Sequence, residues 1–170
     1  MDNLNSDEST ADENADKSAS EQTGSKKIGK KSLEQTIFEV VTILPHCQAL
    51  NITAHEIKGT VLTLMLPYDA CIVGNPETGV VHGGALTALM DTACGFSVLL
   101  KLQEFAVCPT IDLRIDYMMA ATPGKDVYGS GEVYRMTPNV LFARGVAYHE
   151  GDEANPIAHC VATFMRMEKE

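Results

Sequence analysis

Between His82 and Lys101 lie eighteen consecutive positions, Gly83 to Leu100, of which only Asp91 carries a charge at neutral pH. Drawn at 100° per residue, Leu86, Leu89, Met90, Ala93, Phe96, Val98 and Leu99 put apolar side chains on every side. A helix that is apolar all round belongs inside something, so the rest of the chain must enclose it. A carboxylate in the middle of such a helix is costly unless it has a partner or a task. Its neighbours at helical spacing, Gly84, Thr87, Ala88, Cys94, Gly95 and Val98, are small or slim. The stretch therefore predicts a helix with one bare face, an acid at its centre and room for another molecule against it.

Three other readings compete. Eighteen apolar positions touch the lower limit of a membrane span, but the central Asp91, three glycines and a strand-like continuation argue against one. No membrane association is expected. A structural Asp91, bonded to Thr87 or to a facing helix, is the plain alternative. A solvated Asp91 on a surface helix conflicts with the apolarity around it.

The flanking sequence supplies the enclosure. Ser32-Leu33-Glu34-Gln35 has the form of a capping box and predicts a short helix ending before Pro45. Strands follow over about 48–58 and 60–67, hinged at Gly59, and then a long connection, 68–81, of the kind that often carries function. After the central helix the period changes to two, with Ile111, Leu113, Ile115 and Tyr117 on one face. Turn signals then separate strands over about 126–136, 140–149 and 156–167, and short spacings predict an antiparallel meander. The fold class is α+β, with one long central helix wrapped by a curved antiparallel sheet of five to six strands. One such sheet cannot cover the whole helix, so at least a dimer is expected. This is the description of a hot-dog fold.

Residues 1–28 form an acidic segment without periodic apolar residues, predicted to be a disordered tail preceding one domain over 29–170. Seven acidic residues against Lys17 in the first 25 positions account for much of the net charge of −10. The acidity opposes nucleic-acid binding. The N-terminus lacks the apolar region of a secretion signal and is too acidic for a mitochondrial address. Cys47, Cys71, Cys94, Cys108 and Cys160 are scattered and odd in number, as in a reduced cytoplasmic protein, and form no zinc pattern. His55-Glu56 and His149-Glu150 are not followed by a second His at zincin spacing. Neither a G-x-S-x-G elbow nor a phosphate-binding glycine loop is present. Cys94 has no His at helical spacing to activate it and reads as buried filler; for Met118 and Met119 core filling is the default, with the lining of an acyl pocket as the alternative.

Gly79-Val80-Val81-His82-Gly83-Gly84 and Asp91-Thr92-Ala93, with the later Thr110-Ile111-Asp112-Leu113 and Tyr117-Met118, resemble the acyl-CoA thioesterases of the phenylacetate-degradation (PaaI-like) type. The resemblance covers about residues 32–168. It implies Asp91 as nucleophile or general base, the Gly83 amide as donor to the thioester carbonyl, Asn75 orienting substrate or water, and a Thr110 hydroxyl near the acid. The substrate would be an acyl-CoA, with no separate cofactor and no metal. Chemically, thioester hydrolysis needs a base or nucleophile and a donor where the oxyanion develops. Gly83 and Gly84 open the helix, where amides are unpaired and the dipole is positive. His82 reads as a cap that fixes the loop rather than as a proton carrier, while Gly84, Thr87 and Gly95 line the bare face as substrate-binding positions. Eight residues separate Gly83 from Asp91, so the site is expected to be shared between two subunits of a homodimer or homotetramer. The alternatives are a non-catalytic acyl-CoA-binding module and a dehydratase, which would want a catalytic His paired with an acid.

Overall fold

The structure, a computed structural model, describes residues 32–167, so the tail read over 1–28 lies outside the described residues. Ser32 opens helix α1 (Leu33–Ile43): its Oγ accepts from the Gln35 amide at 3.1 Å, and the Gln35 side chain accepts from the Ser32 amide at 3.1 Å. Two donors that a helix start leaves orphaned are thereby satisfied. Pro45 ends α1 but also begins a second helix, α2 (Pro45–Ala49), since its fixed φ and missing N–H suit a first helical position. The strand expected from residue 48 therefore starts later. It is β1 (Thr53–Lys58), and it turns at Gly59, φ 63°, into β2 (Val61–Leu66). The 68–81 connection holds a single 3-10 turn, Ala70–Ile72, and a small hairpin of β3 (Val73–Asn75) and β4 (Val80–Val81).

The central helix is α3 (Gly83–Leu102), followed by β5 (Thr110–Tyr117), β6 (Val127–Met136), β7 (Val140–Tyr148) and β8 (Ala158–Met165). One six-stranded antiparallel sheet forms in the order β1-β2-β6-β7-β8-β5. The expected meander holds only for β6, β7 and β8. β5 lies at the far edge beside β8, with Ile115 opposite Cys160 and Tyr117 opposite Ala158. The segment between β5 and β6, residues 118–126, is long enough to cross the ends of two strands spaced about 4.8 Å apart. It begins by continuing along β8: the Met118 and Met119 amides both donate to the Ile157 carbonyl.

The sheet packs its apolar face on α3. Leu62, Leu64, Leu141 and Phe164 from the strands and Leu89, Met90, Cys94 and Val98 from the helix are fully buried or nearly so. The approach is closest at Gly131, where an added Cβ would lie 2.7 Å from the backbone of Ala93 and Cys94. α3 is long and apolar enough to cross a membrane by length and composition, yet it is the core helix of this sheet. Its enclosure is incomplete on one side only. Gly84, Thr87, Ala88, Asp91, Thr92 and Gly95, at successive spacings of three, one, three, one and three, remain partly or wholly exposed. β5 is also uncovered: its outer edge pairs with no strand among the described residues, and Ile111 and Tyr117 are 54% and 52% exposed.

Candidate active site

His82 sits in extended conformation (φ −66°, ψ 132°) as the N-cap of α3. Its Nδ1 accepts from the Gly84 amide at 2.9 Å, and its carbonyl accepts from the Ala85 amide at 3.0 Å. The side chain thus acts as a cap. It also removes the Gly84 amide from the donors expected to be free at this end. Among the described residues the Gly83 N–H has no partner. The first turn therefore presents one open donor, at the positive end of a 20-residue helix.

The Gly83 carbonyl is held from the sheet. Tyr117 Oη donates to it at 2.9 Å and Thr87 Oγ1 donates to it at 3.0 Å, with the two hydroxyl oxygens 3.0 Å apart. Tyr117 appears among the sequence-level site features only as part of a strand pattern. Alternation reads an aromatic in a strand as a packing side chain, and nothing local shows that its hydroxyl reaches a helix start 34 residues away.

Asp91 is half-buried at the middle of the uncovered stripe. Its Oδ1 accepts from Thr110 Oγ1 at 2.9 Å, so β5 supplies the partner hydroxyl at its first residue. Thr110 begins β5 beside a register shift against β8. Thr87, the local alternative as partner, is turned to the Gly83 carbonyl instead. A groove of about 410 Å³ runs along the stripe, lined by Gly84, Thr87, Ala88, Asp91, Thr92 and Thr110 together with His46 and Leu113. Next to it, an apolar cavity of about 310 Å³ shares Asp91, Thr92 and Thr110 and adds Gly95, Leu44, Phe96, Phe105 and Phe164. The acid therefore stands where the two spaces meet.

Asn75 is not among the residues lining either space. Its carboxamide oxygen accepts from the Glu77 amide at 3.0 Å, closing the turn of the β3–β4 hairpin. The hairpin nevertheless abuts the start of α3, since a Cβ on Gly74 would lie 2.8 Å from His82 Cα. Met118 and Met119 do not fill the core: they are 61% and 47% exposed and line, with Gly83, Leu86 and Tyr117, a cavity of about 360 Å³ on the far side of the tyrosine. Cys94 is fully buried. The hydrogen bond shared with Cys160, 3.6 Å away, and then burial push its thiol up, the wrong direction for a nucleophile. A larger cavity of about 500 Å³ lies among Ser130, Glu132, Arg144 and His159. None of the expected site residues lines it, and its charges pair as Glu132–Arg144 at 2.6 Å. Among the described residues, no group of three His, Cys, Asp or Glu side chains could hold a metal.

Comparison with known proteins bears on the fold. Residues 78–154, which hold the whole of α3 and the sheet strands β5, β6 and β7, match the family model of the thioesterase superfamily. The structure is similar to a crystal structure of a Pseudomonas aeruginosa protein at 54% identity and TM-score 0.71, covering 79% of this chain and 99% of that one. It is also similar to a thioesterase family protein from Silicibacter pomeroyi (20% identity, TM-score 0.69, 81% and 99% covered). A third is the E. coli PaaI protein from the phenylacetic acid degradation operon (15% identity, TM-score 0.69, 80% and 94% covered). The last two likenesses are of fold. No curated protein matches the chain.

Proposed function

This chain belongs to the thioesterase superfamily and carries its hot-dog fold, and from that premise we propose that it is a PaaI-like acyl-CoA thioesterase. The observation that carries the reading is that α3 bears two chemical groups, one at its start and one at its middle. The Gly83 N–H is an open donor at the helix start, and Asp91, held by Thr110, is a carboxylate on the only face the sheet leaves uncovered.

In the proposed reaction the thioester carbonyl oxygen accepts from the Gly83 amide, which stabilises the charge that develops as the carbon becomes tetrahedral. Asp91 either takes the proton of an attacking water or attacks the carbon itself, giving an anhydride that water then cleaves. Both routes end in the free acid and coenzyme A, which enters as part of the substrate. The Thr110 hydroxyl fixes the carboxylate during either. The cavity beyond Asp91, lined by Leu44, Phe96, Phe105 and Phe164, suits the acyl group, and the groove along the stripe suits the pantetheine arm.

The two groups lie on one helix about 12 Å apart along its axis, at 1.5 Å per residue. A nucleophile must come within about 3–3.5 Å of the carbon whose oxygen the donor holds. We therefore assign the site to two copies of this chain, as a homodimer or a homotetramer built from such dimers, with antiparallel stripes bringing Gly83 of one copy to Asp91 of the other. The small residues of the stripe and the unpaired edge of β5 support such an association. We place the protein in the cytoplasm, consistent with five free cysteines.

A hydrolysis screen over aryl and straight-chain acyl-CoAs tests the reading. At least one should be turned over, and Asp91→Ala should lower kcat by about 10²-fold or more with binding largely kept. Tight binding of an acyl-CoA without turnover would make the protein a binding module, and unchanged kcat in Asp91→Ala would remove the carboxylate from the mechanism.

A further inference from the structure

Gly83 is the residue of α3 that most needs an external constraint, being a glycine in a first turn, where backbone freedom is greatest. The peptide unit that follows it, from the Gly83 carbonyl to the Gly84 amide, is gripped at both ends. His82 Nδ1 takes the N–H at 2.9 Å and Tyr117 Oη donates to the C=O at 2.9 Å. We propose that Tyr117 is a positioning residue for the thioesterase reaction: its hydroxyl pins the Gly83–Gly84 peptide and so, across the Gly83 Cα, limits rotation of the preceding His82–Gly83 peptide, whose N–H is aimed at the thioester oxygen.

Two features separate this from incidental packing. Tyr117 is 52% exposed, so water could satisfy its hydroxyl without cost, and burial does not force the contact. The carbonyl does not need it either, since Thr87 Oγ1 already donates there. The contact also uses the space that a glycine leaves at 83: an added Cβ would lie 3.0 Å from Tyr117 Oη and 3.2 Å from Cζ and would push the ring outward. Glycine at 83 thus gives the carbonyl oxygen of the substrate access from one side and the tyrosine access from the other. Tyr117 ends the edge strand whose first residue, Thr110, holds Asp91. In the proposed dimer β5 would position the donor with one end and the acid with the other, in two different sites.

The inference rests on the thioesterase reading, and its test keeps the two apart. Tyr117→Phe keeps the ring and removes the hydroxyl. With the best acyl-CoA, kcat should fall about 5- to 10-fold, the worth of one neutral hydrogen bond, while KM stays within about twofold, as for a group felt mainly in the transition state. A spectroscopic reading needs no substrate. Gly83–Gly84 is the chain's only Gly–Gly pair, so glycine labelled with 13C at the carbonyl and with 15N yields a single bonded pair. Its carbonyl resonance should move upfield in Tyr117→Phe as a hydrogen bond is lost. No movement overturns the clamp. Movement with unchanged kcat makes it merely structural, and a rise in KM alone makes Tyr117 a substrate contact. Wild-type inactivity on every acyl-CoA would instead sink the thioesterase reading, and the proposal with it.

Discussion

Replacing Gly95 by alanine should make the protein more stable and less active. Glycine inside a helix costs about 0.5–1 kcal/mol relative to alanine, through the extra freedom of the unfolded chain. That gain is realised only if the new methyl fits. At Gly95 an added Cβ would meet Phe164 Cε1 at 3.5 Å and Cζ at 3.9 Å, ordinary contact distances, and nothing closer. The variant should therefore melt roughly 2–4 °C higher. The same methyl enters the cavity of about 310 Å³ that Gly95 shares with Asp91, one turn away. A misplaced methyl in a binding pocket is worth about 1–3 kcal/mol, so kcat/KM should fall about 10-fold or more on the best acyl-CoA. Melting is read by circular dichroism, turnover by thiol release, and subunit association by sedimentation, to separate pocket filling from loss of dimer. A lower melting temperature would refute the packing argument. A higher one with unchanged kcat/KM for every acyl group would show that the substrate does not lie against this stripe.

Gly131→Ala should do the opposite to stability, because its Cβ would meet helix backbone at 2.7 Å and backbone cannot step aside; a loss of about 1–3 kcal/mol in urea unfolding is expected. His149→Phe should cost a similar amount, about 1–3 kcal/mol. The buried imidazole accepts from the Thr122 amide at 2.9 Å and bonds the Asp126 carbonyl at 2.7 Å, and phenylalanine leaves both without it.

What could be read from the sequence was what is local. The limits of α3, the Ser32–Gln35 cap and the Gly59 turn each depend on residues a few positions apart, and each stands within a residue or so of its expected place. Pro45 was ambiguous for a physical reason, since a proline both ends one helix and suits the first position of the next. The β3–β4 hairpin is too short, with strands of three and two residues, to show a period. The place of β5 beside β8 depends on partners about 45 residues away. Asp91 and Thr110 were legible as a pair through the family resemblance, and the helix then made geometric sense of the acid. The occupied Gly84 amide and the Tyr117 hydroxyl were not, because each depends on where one side chain points in three dimensions.

The central claim is that one site is built from two copies, and mixing two inactive variants tests it most directly. Asp91→Ala removes the carboxylate. Gly83→Pro removes the amide. The backbone there suits proline, which is at home at the first residue of a helix behind an already extended His82. The added Cβ, 3.0 Å from Tyr117 Oη, displaces that hydroxyl and so disables only the same donor end. In an isologous dimer whose sites are shared, each mixed dimer holds one intact site and one doubly broken site. With random exchange half the dimers are mixed, so about a quarter of wild-type activity should return from two nearly dead parents. If activity does not recover, although both variants are folded and exchange is verified, the donor and the acid do not meet across two subunits.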